Sequence, residues 1–266
     1  MNELETSNQT TRAQIRSGEL TGSTAGLCPG FLQTNIVILP ASFAEEFIEF
    51  CQRNPKPCPL LAVGEPGAID MPALGSGLDI RTDLPGYTLY RSGQLEQNVT
   101  DITGFWQQDF VTFALGCSFT FEEALMKAGI PMRHIEQGKT VSMFKTDVDI
   151  VPTATFQGKL VVSMRPIPKR CLSTVKAICS KFPHAHGAPV HWGNSEDLGI
   201  RNLNNPDWGD AVPINPDEVA VFWACGVTSQ VALQTPELPF VITHKPGSML
   251  ITDVRSNCTM NVIGLG

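Results

Sequence analysis

Four of the five histidines in this sequence lie in turn segments rich in glycine and proline, where side chains can reach a ligand. Imidazole titrates near neutral pH, so histidine is suited to proton transfer. We interpret His186 and His191 as an acid/base pair and His244 as a substrate contact. His184, His186 and His191 are also candidate ligands of a divalent metal such as manganese. The alternative is that these histidines are hydrogen-bonded structural residues, the role that we also expect for His134.

Two arginines are candidate carboxylate-binding residues, Arg165 in the segment SMRP and Arg81 in the segment DIRTDLP. A planar guanidinium can donate two parallel hydrogen bonds to a carboxylate, which a lysine cannot do. The alternative is that each arginine pairs with a nearby aspartate, Asp79 or Asp83, and ties loops together.

The segment GCSFTFEE opens a predicted helix, whose first N–H groups could hold an anionic group. Cys117 and Ser118 are therefore candidate substrate contacts, and Glu122 is a candidate catalytic residue. A helix cap is the alternative, in which Ser118 or Thr120 is the N-cap and Glu122 or Glu123 reaches back to it.

The segment FWACGVT places three candidates at the end of a predicted strand that enters a short helix. Cys225 is a candidate nucleophile, and Gly226 and Thr228 are candidate substrate contacts, because ligands commonly bind at such strand ends in α/β proteins. The alternative for Cys225 is a packed thiol.

Strands and helices must alternate along the chain to position these segments. The run NIVILP predicts a strand, and SFAEEFIEFCQRN after it predicts an amphipathic helix. GFWQQDFVTFAL predicts another helix, TVSMFKTDVDIV and GKLVVSMRPI predict paired strands, and FVITHKPGSMLITDV predicts a hairpin. No internal repeat is evident, and the alternation indicates an α/β fold class.

Nine segments between about Gly30 and Asp253 carry a family resemblance: ILP at Ile38, FCQRNPKPCP at Phe50, DIRTDLP at Asp79, GCSFTFEEAL at Gly116, GIPMRHIEQG at Gly129, VVSMRPIP at Val161, FPHAHGAPVH at Phe182, FWACGVT at Phe222 and ITHKPGSMLITDV at Ile242. Together they resemble the D-glutamate cyclase-like family of bacterial hydro-lyases. The resemblance implies a three-layer, mixed-sheet α/β core with an additional smaller two-layer α+β portion. It also implies a lyase that converts D-glutamate to 5-oxo-D-proline and water.

Two other functions stay open at this point. The same histidines and arginines could serve a dehydratase that removes a proton beside the carboxylate of another small acid. A protein that binds 5-oxoproline or an amino acid without catalysis is the second alternative. In each case the expected partner is a small anionic molecule, an amino acid in the leading hypothesis.

Composition excludes several classes of protein. The formal net charge of −7 gives no positive field for a nucleic acid. No apolar run approaches the roughly 18 residues of a membrane span, and the first residues lack the apolar core of a signal peptide, so we expect a cytoplasmic protein. The eight cysteines have no C-x-x-C spacing, which favours reduced thiols. We expect an N-terminal arm over residues 1–29, one catalytic unit of one or two lobes over residues 30–266, and a homodimer.

Overall fold

The computed structural model describes residues 3–235 and 237–256 of this protein. Its strands are β1 Phe31–Pro40, β2 Leu60–Val63, β3 Tyr87–Arg91, β4 Gln94–Val99, β5 Phe110–Gly116, β6 Ser142–Asp149, β7 Lys159–Pro168, β8 His191–Trp192, β9 Glu218–Ala224, β10 Phe240–His244 and β11 Leu250–Arg255. Its α-helices are α1 Glu3–Arg16, α2 Ala44–Arg53, α3 Phe119–Lys127, α4 Arg133–Glu136, α5 Leu172–Cys179 and α6 Val227–Ala232. The predicted α/β class is confirmed.

The strands form a larger and a smaller sheet. The seven-stranded sheet has the order β2-β5-β1-β10-β3-β4, with β11 also paired to β1, and the four-stranded sheet has the order β6-β7-β9-β8. Every strand pair described in the two sheets is antiparallel. The sheets differ in this respect from the expected mixed sheet, which would also contain parallel pairs. Within the described residues, no helix has the length and apolar character needed to cross a membrane.

Helix α1, in the segment expected to be an arm, lies against β11. The buried guanidinium of Arg12 donates hydrogen bonds to the Asp253 carboxylate and to the carbonyl oxygen of Ile251. The side chain of Asn8 donates to the carbonyl oxygen of Thr252. These contacts hold the first helix on the edge of the larger sheet.

Two predicted elements are wrong. The helix predicted in GFWQQDFVTFAL is largely strand β5, which is buried on both faces, and an apolar run buried on both faces does not show which period it follows. The predicted final hairpin does not form, because β10 and β11 pair with successive stretches of β1. The turn at Pro246 and Gly247 carries the chain between those stretches.

The chain contains two copies of one structural unit, so the expectation of no internal repeat is also wrong. The first copy, residues 31–127, holds β1, α2, β2, β5 and α3, and the second, residues 159–232, holds β7, α5, β8, β9 and α6. The neighbour order β2-β5-β1 matches β8-β9-β7. The strand register matches as well, because the proline that ends the first strand of each copy lies opposite the first residue of the partner strand: Pro40 opposite Phe110, and Pro168 opposite Glu218.

Local geometry confirms the equivalence at the strand ends. Ser118 and Gly226, each directly after a cysteine, both have φ −62° and ψ −20°. The N–H of Thr120 donates to the Cys117 carbonyl at 3.1 Å, and the N–H of Thr228 donates to the carbonyl of the other cysteine at 3.0 Å. Residues that follow Cys117 and Cys225 by the same number of positions in sequence are therefore structurally equivalent.

The two copies exchange their following strands. β6 leaves the first copy and pairs with β7 of the second, whereas β10 and β11 leave the second copy and pair with β1 of the first. The exchanged strands carry similar sequences, SMFKTDV at 142–148 and SMLITDV at 248–254. This exchange interlocks the copies and brings residues of one against helices of the other.

Gly116 offers a test of this interlocking. It ends β5, its N–H donates to the Pro59 carbonyl at 2.9 Å, and a Cβ there would collide with the carbonyl oxygen of His184 in the second copy. We expect Gly116→Ala to lower the free energy of unfolding by about 1–3 kcal/mol or more, because two backbone segments must move apart. Urea unfolding measures this loss. The control is Gly104→Ala, where a Cβ meets nothing within 4 Å; equal stability of the two variants would contradict the described contact.

Candidate functional site

A buried ion pair joins the two copies. Arg165 on β7 donates hydrogen bonds through Nε, at 2.8 Å, and through Nη2 to Oε1 of Glu122 on α3, and both residues are 1% exposed. The guanidinium also donates to the hydroxyl of Ser118 at 2.9 Å and to that of Ser163 at 3.1 Å. Each of these partners is itself buried. The pair thus lies in a polar pocket that the protein supplies.

The surroundings keep the Glu122 carboxyl ionised. Burial raises its pKa, but the charge of Arg165 and the neighbouring His134 lower it by more, so the net pKa lies below the ordinary value. His134 Nε2 lies 3.1 Å from Glu122 Oε1. The rings of Phe121 and Trp223 pack on the guanidinium, with centroids 5.4 and 5.3 Å from its central carbon. An ionised carboxylate is therefore present next to a histidine and shielded from bulk water.

The helix cap considered for GCSFTFEE does not form. No side chain caps the first N–H groups of α3, and the Ser118 hydroxyl accepts from Arg165 instead. Glu122 likewise faces Arg165. Both residues belong to the ion-pair cluster.

A cleft lies beside Glu122, which we call the acceptor cleft. Its polar walls include Gln33, Thr120 and Glu122, and its apolar walls include Phe119 and Met126. The remaining lining residues are Gly26, Leu27, Cys28, Pro29, Gly30, Phe31, Glu123 and Ile135.

A larger, more open cleft adjoins the acceptor cleft and shares Gly30, Thr120 and Glu123 with it. Arg255 and Lys127 bring positive charge to this second cleft. The Arg255 guanidinium packs over the Phe31 ring, 4.4 Å from its centroid. The cations Arg255 and Lys127 thus line the cleft next to the acceptor cleft, which is bordered by the ionised carboxylate of Glu122.

The second copy shows what the fold itself requires at these positions. Gln230 of the second copy is the equivalent of Glu122. Val37 of the first copy, opposite Phe113, is the equivalent of Arg165, which lies opposite Val221. The Gln230 amide donates to the carbonyl oxygen of His244 at 2.9 Å. Because the two positions equivalent to the ion pair carry no charge, the repeated unit does not by itself call for an ion pair there.

The two equivalent cysteines are neutral thiols at neutral pH. Burial raises the pKa of Cys117 to about 12 and that of Cys225 to about 11. A nucleophilic cysteine attacks as thiolate, so these surroundings do not activate Cys225.

Gly226 and Thr228, which follow Cys225 in sequence, contact other residues of the protein. A Cβ at position 226 would overlap the Asn35 side chain, so the absence of a side chain there accommodates that residue. The hydroxyl of Thr228 accepts from the N–H of Val161 at 3.0 Å and lies 3.2 Å from its carbonyl oxygen.

The candidate metal ligands contact three different backbone carbonyls. His184 Nε2 is 3.3 Å from the oxygen of Ser256, His186 Nδ1 is 2.8 Å from that of Lys56, and His191 Nε2 is 2.8 Å from that of Asn194. In residues 3–235 and 237–256, no group of three or more His, Cys, Asp or Glu is placed to hold a metal ion. These histidines therefore do not fit a metal site together, and His186 and His191 have separate partners.

Two of the histidines are deeply buried. His186 and His244 are 2% and 1% exposed, and burial lowers the pKa of each to about 4. His244 Nδ1 is hydrogen-bonded to the backbone of Ile36, and its ring contacts Gln230. Both rings are therefore neutral at pH 7.

Arg81 forms the ion pair considered as its alternative role. Its Nε and Nη2 donate to the two oxygens of Asp79 at 2.9 and 2.7 Å. Asp83 pairs instead with Arg16 of α1. For Arg165 the partner is Glu122 and not an aspartate.

Sequence reasoning did not identify Gln33 or Thr120 as site residues, and it gave His134 a structural role. A signal for Gln33 exists, because this polar residue interrupts the buried strand FLQTNIVILP. Its partners come from elsewhere in the chain, which no local pattern shows.

Comparison with known proteins gives consistent results. The sequence profile of the D-glutamate cyclase family matches residues 111–253. A protein of Dinoroseobacter shibae named "Putative hydro-lyase" is 53% identical over 95% of this chain and 84% of its own length, and one of Jannaschia sp. with the same name is 54% identical over 92% of each chain. A nitrogen repressor-like protein of Methanococcus jannaschii has a TM-score of 0.39 at 9% identity, covering 91% of this chain and 99% of its own, and bears on neither fold nor function.

The ion pair predicts a definite stability pattern. We expect Glu122→Ala to cost about 3–5 kcal/mol in the free energy of unfolding, because it leaves the Arg165 charge buried and unpaired. The double variant Glu122→Gln with Arg165→Met should recover much of this loss. Glu123→Ala, beside it in α3, should cost under about 1 kcal/mol, since its partner Lys127 is exposed. Denaturant unfolding of the variants would contradict the pairing if the double variant were the least stable.

The buried histidines predict acid sensitivity. The unfolded chain binds protons at the ordinary histidine pKa of about 6.5, whereas folded His186 and His244 resist protonation until about pH 4. The free energy of unfolding should therefore fall as pH drops from about 6.5 to 4, by up to about 1.4 kcal/mol per pH unit for each histidine. Urea unfolding across this range measures the slope, which should become shallower in His186→Gln. An unchanged slope in His186→Gln would show that this ring is not kept neutral by the fold.

Proposed function

Since this chain belongs to the D-glutamate cyclase family, we propose that it is a hydro-lyase that converts D-glutamate to 5-oxo-D-proline and water. The observation that carries the proposal is the ionised, buried carboxylate of Glu122, which lines the acceptor cleft and lies next to His134. A carboxylate so placed can accept a proton from a ligand in the cleft and is held in its charged form by Arg165.

The reaction forms one C–N bond and breaks one C–O bond, without oxidation or reduction. The substrate ammonium loses a proton, and the amine attacks the γ-carboxyl carbon of the same molecule. The tetrahedral intermediate then expels one carboxyl oxygen, which leaves as water with two protons that came from the nitrogen. The protein must therefore bend the substrate and carry protons from nitrogen to oxygen.

Glu122 is suited to carry those protons. We assign it as the group that receives the proton from the ammonium and returns it to the departing oxygen. A carboxylate of lowered pKa retains a proton weakly, which favours that return. His134, whose Nε2 lies 3.1 Å from the Glu122 oxygen that Arg165 binds, adds to the surroundings that position the carboxylate. Arg165 is a positioning residue in this scheme, because it holds the Glu122 carboxylate in place.

Positive charge for the substrate carboxylates is at hand in the adjoining cleft. Arg255 is our candidate for a carboxylate contact, since a guanidinium can bind both carboxylate oxygens. Bound there, a carboxylate would lose part of its negative charge and become a better electrophile.

Conversion of D-glutamate by the purified protein tests this function. Chiral chromatography should show 5-oxo-D-proline forming from D-glutamate, and substrate with ¹⁸O in the γ-carboxylate should release one labelled oxygen to water. Glu122→Gln should lower kcat by about 100-fold or more, as expected for loss of a proton-transfer group, while Glu45→Gln, at an exposed position on α2, should keep kcat. Thermal melting confirms that both variants are folded.

Controls address the alternative functions and the expected divalent metal. The assays are run with manganese and with a chelator, over a range of pH, and with L-glutamate. Unchanged D-glutamate under all these conditions would exclude the proposed reaction. Solvent deuterium appearing at the α-carbon of another acid would favour a different dehydratase, and saturable binding of 5-oxoproline without turnover would favour a binding protein.

A further inference from the structure

We infer that Gln33, Thr120 and Glu122 form a binding site for the ammonium group of a small α-amino acid. This inference deepens the proposed function and rests on it for the identity of the amino acid. It concerns the walls of the acceptor cleft, of which only Glu122 takes part in the reaction as proposed above.

Three residues that line this one cleft each have a buried side-chain oxygen with no hydrogen-bond partner within the described part of the chain: Gln33 Oε1, Thr120 Oγ1 and Glu122 Oε2. Their residues are 4%, 4% and 1% exposed. Buried polar atoms in folded proteins are nearly always hydrogen-bonded, so three unpartnered oxygens in one cleft indicate a ligand that donates hydrogen bonds.

The orientation of the Gln33 amide is fixed by its nitrogen. Nε2 donates to the carbonyl oxygens of Thr24 at 2.9 Å and of Leu27 at 3.0 Å. Both amide hydrogens are used in these bonds, so the group that remains for the cleft is the acceptor Oε1.

The Thr120 hydroxyl lacks the internal hydrogen bond that its equivalent in the second copy makes. Its equivalent, Thr228, is hydrogen-bonded to the backbone of Val161 on β7. Thr34, opposite Gly116, is the equivalent of Val162, opposite Ala224, so Gln33 is the equivalent of Val161. The Thr120 hydroxyl makes no bond to Gln33 like the one that Thr228 makes to Val161. In the first copy this hydroxyl is left for the acceptor cleft.

The number and charge of the three oxygens favour an ammonium over a metal ion. A primary ammonium has three N–H donors and no acceptor, which matches three oxygens of which one is ionised. Two carboxylates line the cleft, but Glu122 is paired with Arg165 and Glu123 with Lys127, so little negative charge remains for a divalent cation. An amino acid brings its own carboxylate and adds no net positive charge. Phe119 and Met126 supply apolar wall for its methylene groups.

Calorimetric titration with matched ligands tests the site. The probes are D-glutamate and glutarate, the same diacid without the amine. We expect glutarate to bind at least tenfold more weakly to the unaltered protein, and Gln33→Leu to weaken D-glutamate about tenfold while it leaves glutarate unchanged, as for one lost hydrogen bond to a charged donor. Thr120→Val should act in the same direction. Gln137→Leu, at an exposed glutamine, is the control, and thermal melting checks folding.

The outcomes separate this inference from the proposed reaction. If D-glutamate is not converted but D-glutamate, D-aspartate or D-glutamine still binds through Gln33, the ammonium site stands and the reaction falls. If D-glutamate is converted and Gln33→Leu keeps the same KM, the site falls and the reaction stands. Equal weakening of D-glutamate and glutarate, binding of none of the three amino acids, or manganese binding that Gln33→Leu abolishes would each overturn the ammonium site.

Discussion

The candidate site depends on the buried ion pair between Arg165 and Glu122. Burying two charges removes them from water, and an apolar pair of similar volume is often as stable or more so. The equivalent positions in this fold, Val37 in the first copy and Gln230 in the second, carry no charge. We therefore attribute the pair to function: it keeps a carboxylate ionised at the wall of a cleft.

Strand exchange between the copies creates the environment of this pair. β6 and the β10–β11 segment each cross to the other copy, so β7 of the second copy lies within reach of α3 of the first. Neither copy contains both charges. The two copies thus contain similar strand–cysteine–helix corners, which differ in the side chains at the positions of Gln33 and Glu122 and in the hydrogen bonding of the threonine at the position of Thr120.

Much of the local structure could be predicted from the sequence, because hydrophobic period and turn residues are local signals. Arg165 and Glu122 were each identified from their segments, but their pairing was not, since it joins residues far apart in sequence and in different copies. The repeat escaped detection because its similarity is confined to short segments such as SMFKTDV and SMLITDV. Gln33 was missed because a buried polar residue becomes informative only when its tertiary partners are known.

A crystal structure with bound 5-oxo-D-proline tests the central claim most directly, since it locates the nitrogen on which the reaction takes place. The account predicts the lactam N–H within hydrogen-bond distance of Glu122 Oε2, with Arg165 still bound to Oε1. A ring bound elsewhere would contradict it, for example in the surface cleft beside Tyr90 and Gln230 on the second copy's side.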